Sequence, residues 1–182
     1  MQKLFYTDKN TFKVTDTALR EIFLQYFHID AEIQRSENGK PFLKDRSDIF
    51  FSVSHTNTTL FIAVSDENIG IDAEQMDRDV HFLPIVKRFP LAEQKEMKNL
   101  SDFLRHWVVK ESAVKWLGGT LARDLYKLEY ANSTIKYGEV QLPVQITLIS
   151  LNGCFVAVCC ERDFSQAERI AYPLKTIQEK KI

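Results

Sequence analysis

The chain has 182 residues, enough for one compact unit or for two small subdomains that share an interface. Its 24 basic and 25 acidic side chains nearly cancel, and the formal net charge of −1 gives no global attraction to nucleic acid or anionic lipid. The opening segment meets Asp8 too early for a secretory leader, and no apolar run reaches the length of a bilayer, so a cytoplasmic protein without membrane contact is expected.

Thr15 or Asp16 is placed to cap a first helix, in which Leu19, Ile22, Phe23, Tyr26 and Phe27 recur at helical spacing. Gly39-Lys40-Pro41 breaks that pattern. Ile49 to Val53 and Thr59 to Val64 read as strands around the polar loop Ser54-His55-Thr56-Asn57, and Ile69 to Glu74 reads as a third. From Val80 to Leu117 the pattern is helical, punctuated by Pro84 and Pro90. Its long segment starts near Ser101, carries the stripe Phe103, Leu104, Trp107, Val108, Val114 and Leu117, and stops at Gly118-Gly119. Strands return at Leu125 to Tyr130, Val144 to Ser150 and Cys154 to Glu161. Cys154, Cys159 and Cys160 lie in this last apolar run, which favours small core thiols over a metal site or disulfide. A helix followed by strands, twice over, predicts an α+β protein with halves at residues 1–78 and 79–182.

Two short motifs carry the chemistry. Asp72 and Glu74, two apart on a strand, share one face; Glu111 and Lys115, four apart on a helix, share another. If strand and helix meet, they form an acidic pocket with a cation at its rim. Each motif alone also has a plain reading: a solvated Asp-x-Glu turn, and an exposed helical salt bridge. Gly70 before Asp72 suggests a close approach by a bulky group or ligand, and Trp107, one turn before Glu111, turns that helical face toward the core or a pocket. Asp72 with Glu74 suits magnesium, which takes one or two protein carboxylates and completes its shell with substrate phosphates. Ser54 and His55 in their loop, and Lys40 on a stiff turn, are candidate phosphate ligands, though a turn residue bonding its own backbone is an equal reading for the loop. His28, His81 and His106 have no partner at metal-ligand spacing and read as structural.

Taken together, Ile69 to Glu74, Trp107-Val108-Val109-Lys110-Glu111-Ser112-Ala113-Val114-Lys115, Gly39-Lys40-Pro41 and the strand ending in Ser54-His55 resemble the 4'-phosphopantetheinyl transferases, in particular their surfactin-type, single-chain branch. The resemblance covers about residues 16 to 121. It implies two similar α+β halves related by a pseudo-twofold axis, binding coenzyme A and magnesium between them. It also implies a magnesium-dependent holo-[acyl-carrier-protein] synthase, which transfers 4'-phosphopantetheine to a serine of an apo acyl or peptidyl carrier protein and releases adenosine 3',5'-bisphosphate. On that resemblance Asp72, Glu74 and Glu111 hold the metal, Glu111 helps deprotonate the serine, and Lys115 steadies the pyrophosphate or protonates the leaving group. Lys40, Ser54, His55, Asp72 and Lys115 bind coenzyme A. Relatives often carry extra basic residues near the N-terminus, a place that Lys9, Lys13 and Arg20 can take here. Lys87, Arg88, Lys95, Lys98 and Arg105 are candidates for docking an acidic carrier, against a merely solvated basic face. With both halves in one chain a monomer suffices.

Two rival readings remain at this stage. A magnesium-dependent phosphodiesterase or nuclease also needs Asp, Glu and Lys, but Gln75 and Met76 follow Glu74 where a strand-borne lysine would be wanted. A catalytically silent binding module would carry the acids without using them.

Overall fold

The computed structural model describes residues 1–9 and 15–172. Among them the chain is a mixed α/β protein. Strand β1 (Gln2–Asp8) precedes helix α1 (Thr15–Phe27), the short hairpin β2 (Ile33–Arg35) and β3 (Pro41–Leu43), and strands β4 (Phe50–His55), β5 (Thr59–Ser65) and β6 (Ile69–Gln75). Three helices follow: α2 (Leu83–Val86), α3 (Leu91–Glu96) and the long α4 (Leu100–Leu117). The remainder is α5 (Leu121–Asp124), a single 3-10 turn at Leu125–Lys127, and strands β7 (Leu128–Ala131), β8 (Thr134–Tyr137), β9 (Val140–Gln141), β10 (Gln145–Leu151), β11 (Cys154–Cys160) and β12 (Glu168–Ala171).

One sheet runs β12-β1-β5-β4 and another β10-β11-β6, with the hairpin strands in small sheets of their own. The β12 to β1 pairing is parallel; β1 to β5, β5 to β4, β10 to β11 and β11 to β6 are antiparallel. Strand alternation sorts the side chains into three cores. Phe5, Leu60, Ile62 and Val64 pack under α1 with Leu19, Ile22 and Phe23. Phe155, Ala157 and Cys159 pack under α4 with Leu104, Val108 and Val109. The opposite faces of β1, β5, β6 and β11 share a core of Leu4, Phe61, Ala63, Ile69, Ile71, Ala73, Val156 and Val158. Central strands such as β5 and β11 are therefore buried along their whole length, which is why they read as continuous apolar runs.

The helix and strand expectations from the sequence coincide with α1, α4, β4, β5, β6, β10 and β11 to within a few residues. The first turn of α4 is capped by Asn99, whose side chain accepts from the Asp102 N–H. Its end is set by Gly118 in the left-handed region at φ 64°. Leu125 to Tyr130, read as one strand, divides into the 3-10 turn and β7. Strands β1, β2, β3, β8, β9 and β12 were not anticipated. The hairpin strands have three residues each and are too short to show a period, and β1 buries both Leu4 and Phe5, on opposite faces. The three cysteines are free and buried, in the inter-sheet core and beneath α4. No helix among the described residues is long and apolar enough to cross a membrane.

Candidate active site

The site begins with the alternation along β6. Ile69, Ile71 and Ala73 point into the inter-sheet core, so Gly70, Asp72 and Glu74 occupy the other face, the one that meets α4. Gly70 makes the meeting close. A Cβ there would stand 2.0 Å from the Ser112 carbonyl oxygen and 2.5 Å from the Trp116 nitrogen, so the bulky group suspected from the sequence is the backbone of α4 itself. The other edge of β6 faces β4, and here serines take the place of a backbone ladder. The amides of Ile71 and Ala73 donate to the hydroxyls of Ser52 (3.1 Å) and Ser54 (3.2 Å).

This packing brings the two motifs together. Asp72, 4% exposed, accepts on Oδ1 from Lys115 Nζ at 2.7 Å and from the Ser54 hydroxyl at 2.8 Å. Lys115 also donates to the Val53 carbonyl at 3.3 Å. The second carboxylate oxygen, Oδ2, is buried without a hydrogen-bond partner in the protein, which is uncommon for so polar an atom. Glu74 is paired with Arg78, and burial raises its pKa while Arg78 opposes the rise. Burial, with the charge of Asp72 second, pushes the Glu111 carboxyl up to about 8, and Lys115 pulls the other way. Among the described residues no three Asp, Glu, His or Cys side chains stand together as a ready-made metal cage.

Two cavities flank this centre. One of about 220 Å³ is lined by Lys115, Lys40, Ser52, Val53 and the glycines at 39, 118 and 119. The other, about 630 Å³ and mostly polar, is lined by Lys9, His55, Asn57, Glu74, Arg78 and their neighbours. Lys40 thus lies beside Lys115, held by Asn68 Oδ1 at 2.8 Å, and burial lowers its pKa to about 8. His55 is exposed in the second cavity, with its Nδ1 3.3 Å from Lys9 Nζ. Ser54, read as a phosphate ligand, has its hydroxyl between Asp72 and the Ala73 amide, so its visible work is to orient Asp72. Arg20 is exposed on α1, and Lys13 lies outside the described residues. Lys87, Arg88, Lys95, Lys98 and Arg105 are all exposed; Arg88 lies over the Tyr126 ring and Arg105 over that of Phe155.

Three contributors were not anticipated. Arg78 is the counter-ion of Glu74, signalled only by a spacing of four beyond a strand end. Lys110, beside Glu111, is fully buried and donates to both oxygens of the equally buried Glu93 at 2.9 and 3.0 Å, while Glu93 also accepts from the Tyr130 amide at 2.8 Å. This pair bolts α3 and β7 to α4 and so fixes the helix that presents Glu111. Asn68, just before β6, bonds the Trp116 carbonyl at 2.8 Å.

The fold and site together describe a mixed α/β protein in which one strand and one long helix bring Asp72 and Lys115 into contact. No family model matches the chain. It is 23% identical to the 4'-phosphopantetheinyl transferase psf-1 of Bacillus pumilus, over 91% of this chain and 77% of that protein. It is 31% identical to the 4'-phosphopantetheinyl transferase Sfp of Bacillus subtilis, over 60% of this chain and 53% of that protein. The corresponding figures for the 4'-phosphopantetheinyl transferase AcpT of Salmonella typhi are 28%, 68% and 66%. The chain thus spans about half the length of one of these relatives, two thirds of another and three quarters of the third. The relatives it is similar to are 4'-phosphopantetheinyl transferases.

Proposed function

We propose that this protein transfers the 4'-phosphopantetheine group of coenzyme A to a serine hydroxyl of an apo acyl or peptidyl carrier protein and releases adenosine 3',5'-bisphosphate. The observation that carries the reading is the bond from Lys115 to buried Asp72, which joins the motif on β6 to the motif on α4 at one cleft. The reaction replaces a bridging phosphoanhydride oxygen by the serine oxygen at one phosphorus. It therefore calls for a base at the hydroxyl and positive charge at the phosphates.

Hard oxygen donors suit magnesium, and the partnerless Asp72 Oδ2, on the same face of β6 as half-buried Glu74, fits such an ion. Asp72, Glu74 and Glu111 would hold it, Glu74 exchanging its Arg78 partner. When bound, the ion supplies the charge that lets these carboxylates ionise together and neutralises phosphate oxygens. Glu111, whose carboxyl burial and Asp72 hold up near 8, would take the serine proton directly or through water once ionised. Lys115 lies against Asp72 and opens on the 220 Å³ cavity, where it steadies the pyrophosphate or protonates the departing phosphate. Lys40 and His55 receive further phosphate charge on either side, and Ser54 keeps Asp72 in place.

The same reading accounts for the architecture as two similar halves of the surfactin-type branch. The order β1, α1, hairpin, β4, β5 is matched by β6, α4, hairpin, β10, β11, and the strand orders β1-β5-β4 and β6-β11-β10 correspond. The halves at 1–78 and 79–182 then exchange edge strands, β6 joining the second sheet and β12 the first. Two halves in one chain make a monomer sufficient, with acidic carriers docking on Lys87, Arg88, Lys95, Lys98 and Arg105. The test is intact-mass measurement of an apo carrier incubated with the protein, coenzyme A and magnesium. One added phosphopantetheine is expected, lost when magnesium is chelated; an unchanged mass across several acyl and peptidyl carriers would sink the proposal.

A further inference from the structure

The last turn of a helix leaves carbonyls without intrahelical partners, and in α4 these lie next to Lys115. The amides of Gly118 and Gly119 turn back to Lys115 and Val114, and the Thr120 amide, four residues past Trp116, is taken by Asp124 at 2.8 Å. The Trp116 carbonyl is satisfied from outside the helix. Asn68 Nδ2 donates to it at 2.8 Å, and Lys40 Nζ approaches at 3.4 Å. The Asn68 carbonyl oxygen simultaneously accepts from Lys40 Nζ at 2.8 Å. Gly118 is braced in the same way, its carbonyl accepting from Asn38 Nδ2 at 2.8 Å.

We propose that Asn68 is a positioning residue that sets the places of Lys40 and Lys115, the two lysines lining the 220 Å³ cavity. One end of its amide fixes the Lys40 ammonium; the other fixes the backbone one residue beyond Lys115. The role requires a side chain that donates and accepts at once, which an amide does and a carboxylate does not. Asn68 enters β6 two residues before Gly70, where strand and helix are in van der Waals contact, so its bond to Trp116 adds directional registry to a close but slippery packing. Lys115 is thereby held to Asp72, and Lys40 is kept from swinging into solvent. Neither effect requires Asn68 to touch substrate.

The activity readout rests on the transfer reaction proposed above; the structural readout does not. Asn68→Asp keeps an acceptor for Lys40 but sets an oxygen against the Trp116 carbonyl, so about a tenfold fall in kcat with KM for coenzyme A nearly unchanged is expected. Asn68→Ala frees both lysines and adds a severalfold rise in that KM. A residue that only stabilised the fold would give losses in step with stability and no such split. Hydrogen exchange over residues 112–119 of the full chain is measured alongside, and both variants should exchange faster there while α1 is unchanged. Normal kcat in Asn68→Asp, or unaltered exchange at 112–119 in both variants, overturns the assignment. If the parent transfers nothing, the functional reading fails and exchange alone decides the positioning role. Should Asn68→Ala not fold, the near-isosteric Asn68→Asp carries the test.

Discussion

Glu111→Gln separates stability from activity at the residue on which the proposed chemistry turns. Burial and the charge of Asp72 raise its carboxyl from 4.5 to about 8 in the folded protein. An acid with a raised pKa costs nothing below its unfolded value, because it is neutral in both states. As pH climbs from about 4.5 toward 8 the unfolded chain ionises while the folded one resists, so stability is lost across that window. At pH 7 the deficit is about 3 kcal/mol, and at pH 5 it has shrunk to about 1 kcal/mol, from roughly 1.4 kcal/mol per pKa unit. Glutamine does not titrate. Metal-free Glu111→Gln should therefore be more stable than the parent by up to about 3 kcal/mol at pH 7, or roughly 6–12 °C in Tm, with a much smaller gain at pH 5. Transfer to a carrier should fall by orders of magnitude in the same protein. Urea unfolding at both pH values in the presence of a chelator, with the intact-mass assay alongside, measures both effects. A variant no more stable at pH 7, or one whose gain is equal at both pH values, refutes the argument that Glu111 sits strained among its acidic neighbours.

Two further substitutions probe the frame that holds the site. Gly70→Ala forces a methyl group into the backbone of α4 and should cost a few kcal/mol in urea unfolding while lowering transfer, because Asp72 and Lys115 are driven apart; a loss under about 0.5 kcal/mol would show that the helix yields freely. Lys110→Met leaves Glu93 buried without its cation and should destabilise by about 3–5 kcal/mol, with Lys110→Met/Glu93→Leu recovering part of the loss. An unaffected unfolding midpoint in the single variant would remove the pair from the support of α4.

The shared faces of the two charged motifs were legible because their arrangement is local. Period two puts Asp72 and Glu74 on one face of β6 whatever that strand packs against, and a spacing of four does the same for Glu111 and Lys115 on α4. The apolar runs of β5 and β11, the stripe of α1 and the Gly118 stop are equally properties of short stretches of chain. Pairings between distant stretches were not legible in this way. Whether Ser54 meets a phosphate or Asp72 depends on β4 lying beside β6, and whether Lys40 is free or held depends on Asn68 and the end of α4. Lys110 looks like an ordinary surface lysine until α3 brings Glu93 beneath it. The sequence by itself determined which charged side chains share a face of β6 and which share a face of α4, since backbone periodicity settles their direction locally. Only the tertiary structure decided which of them are committed to one another and how far burial shifts their protonation, because desolvation and pairing arise when segments far apart in the chain exclude water together.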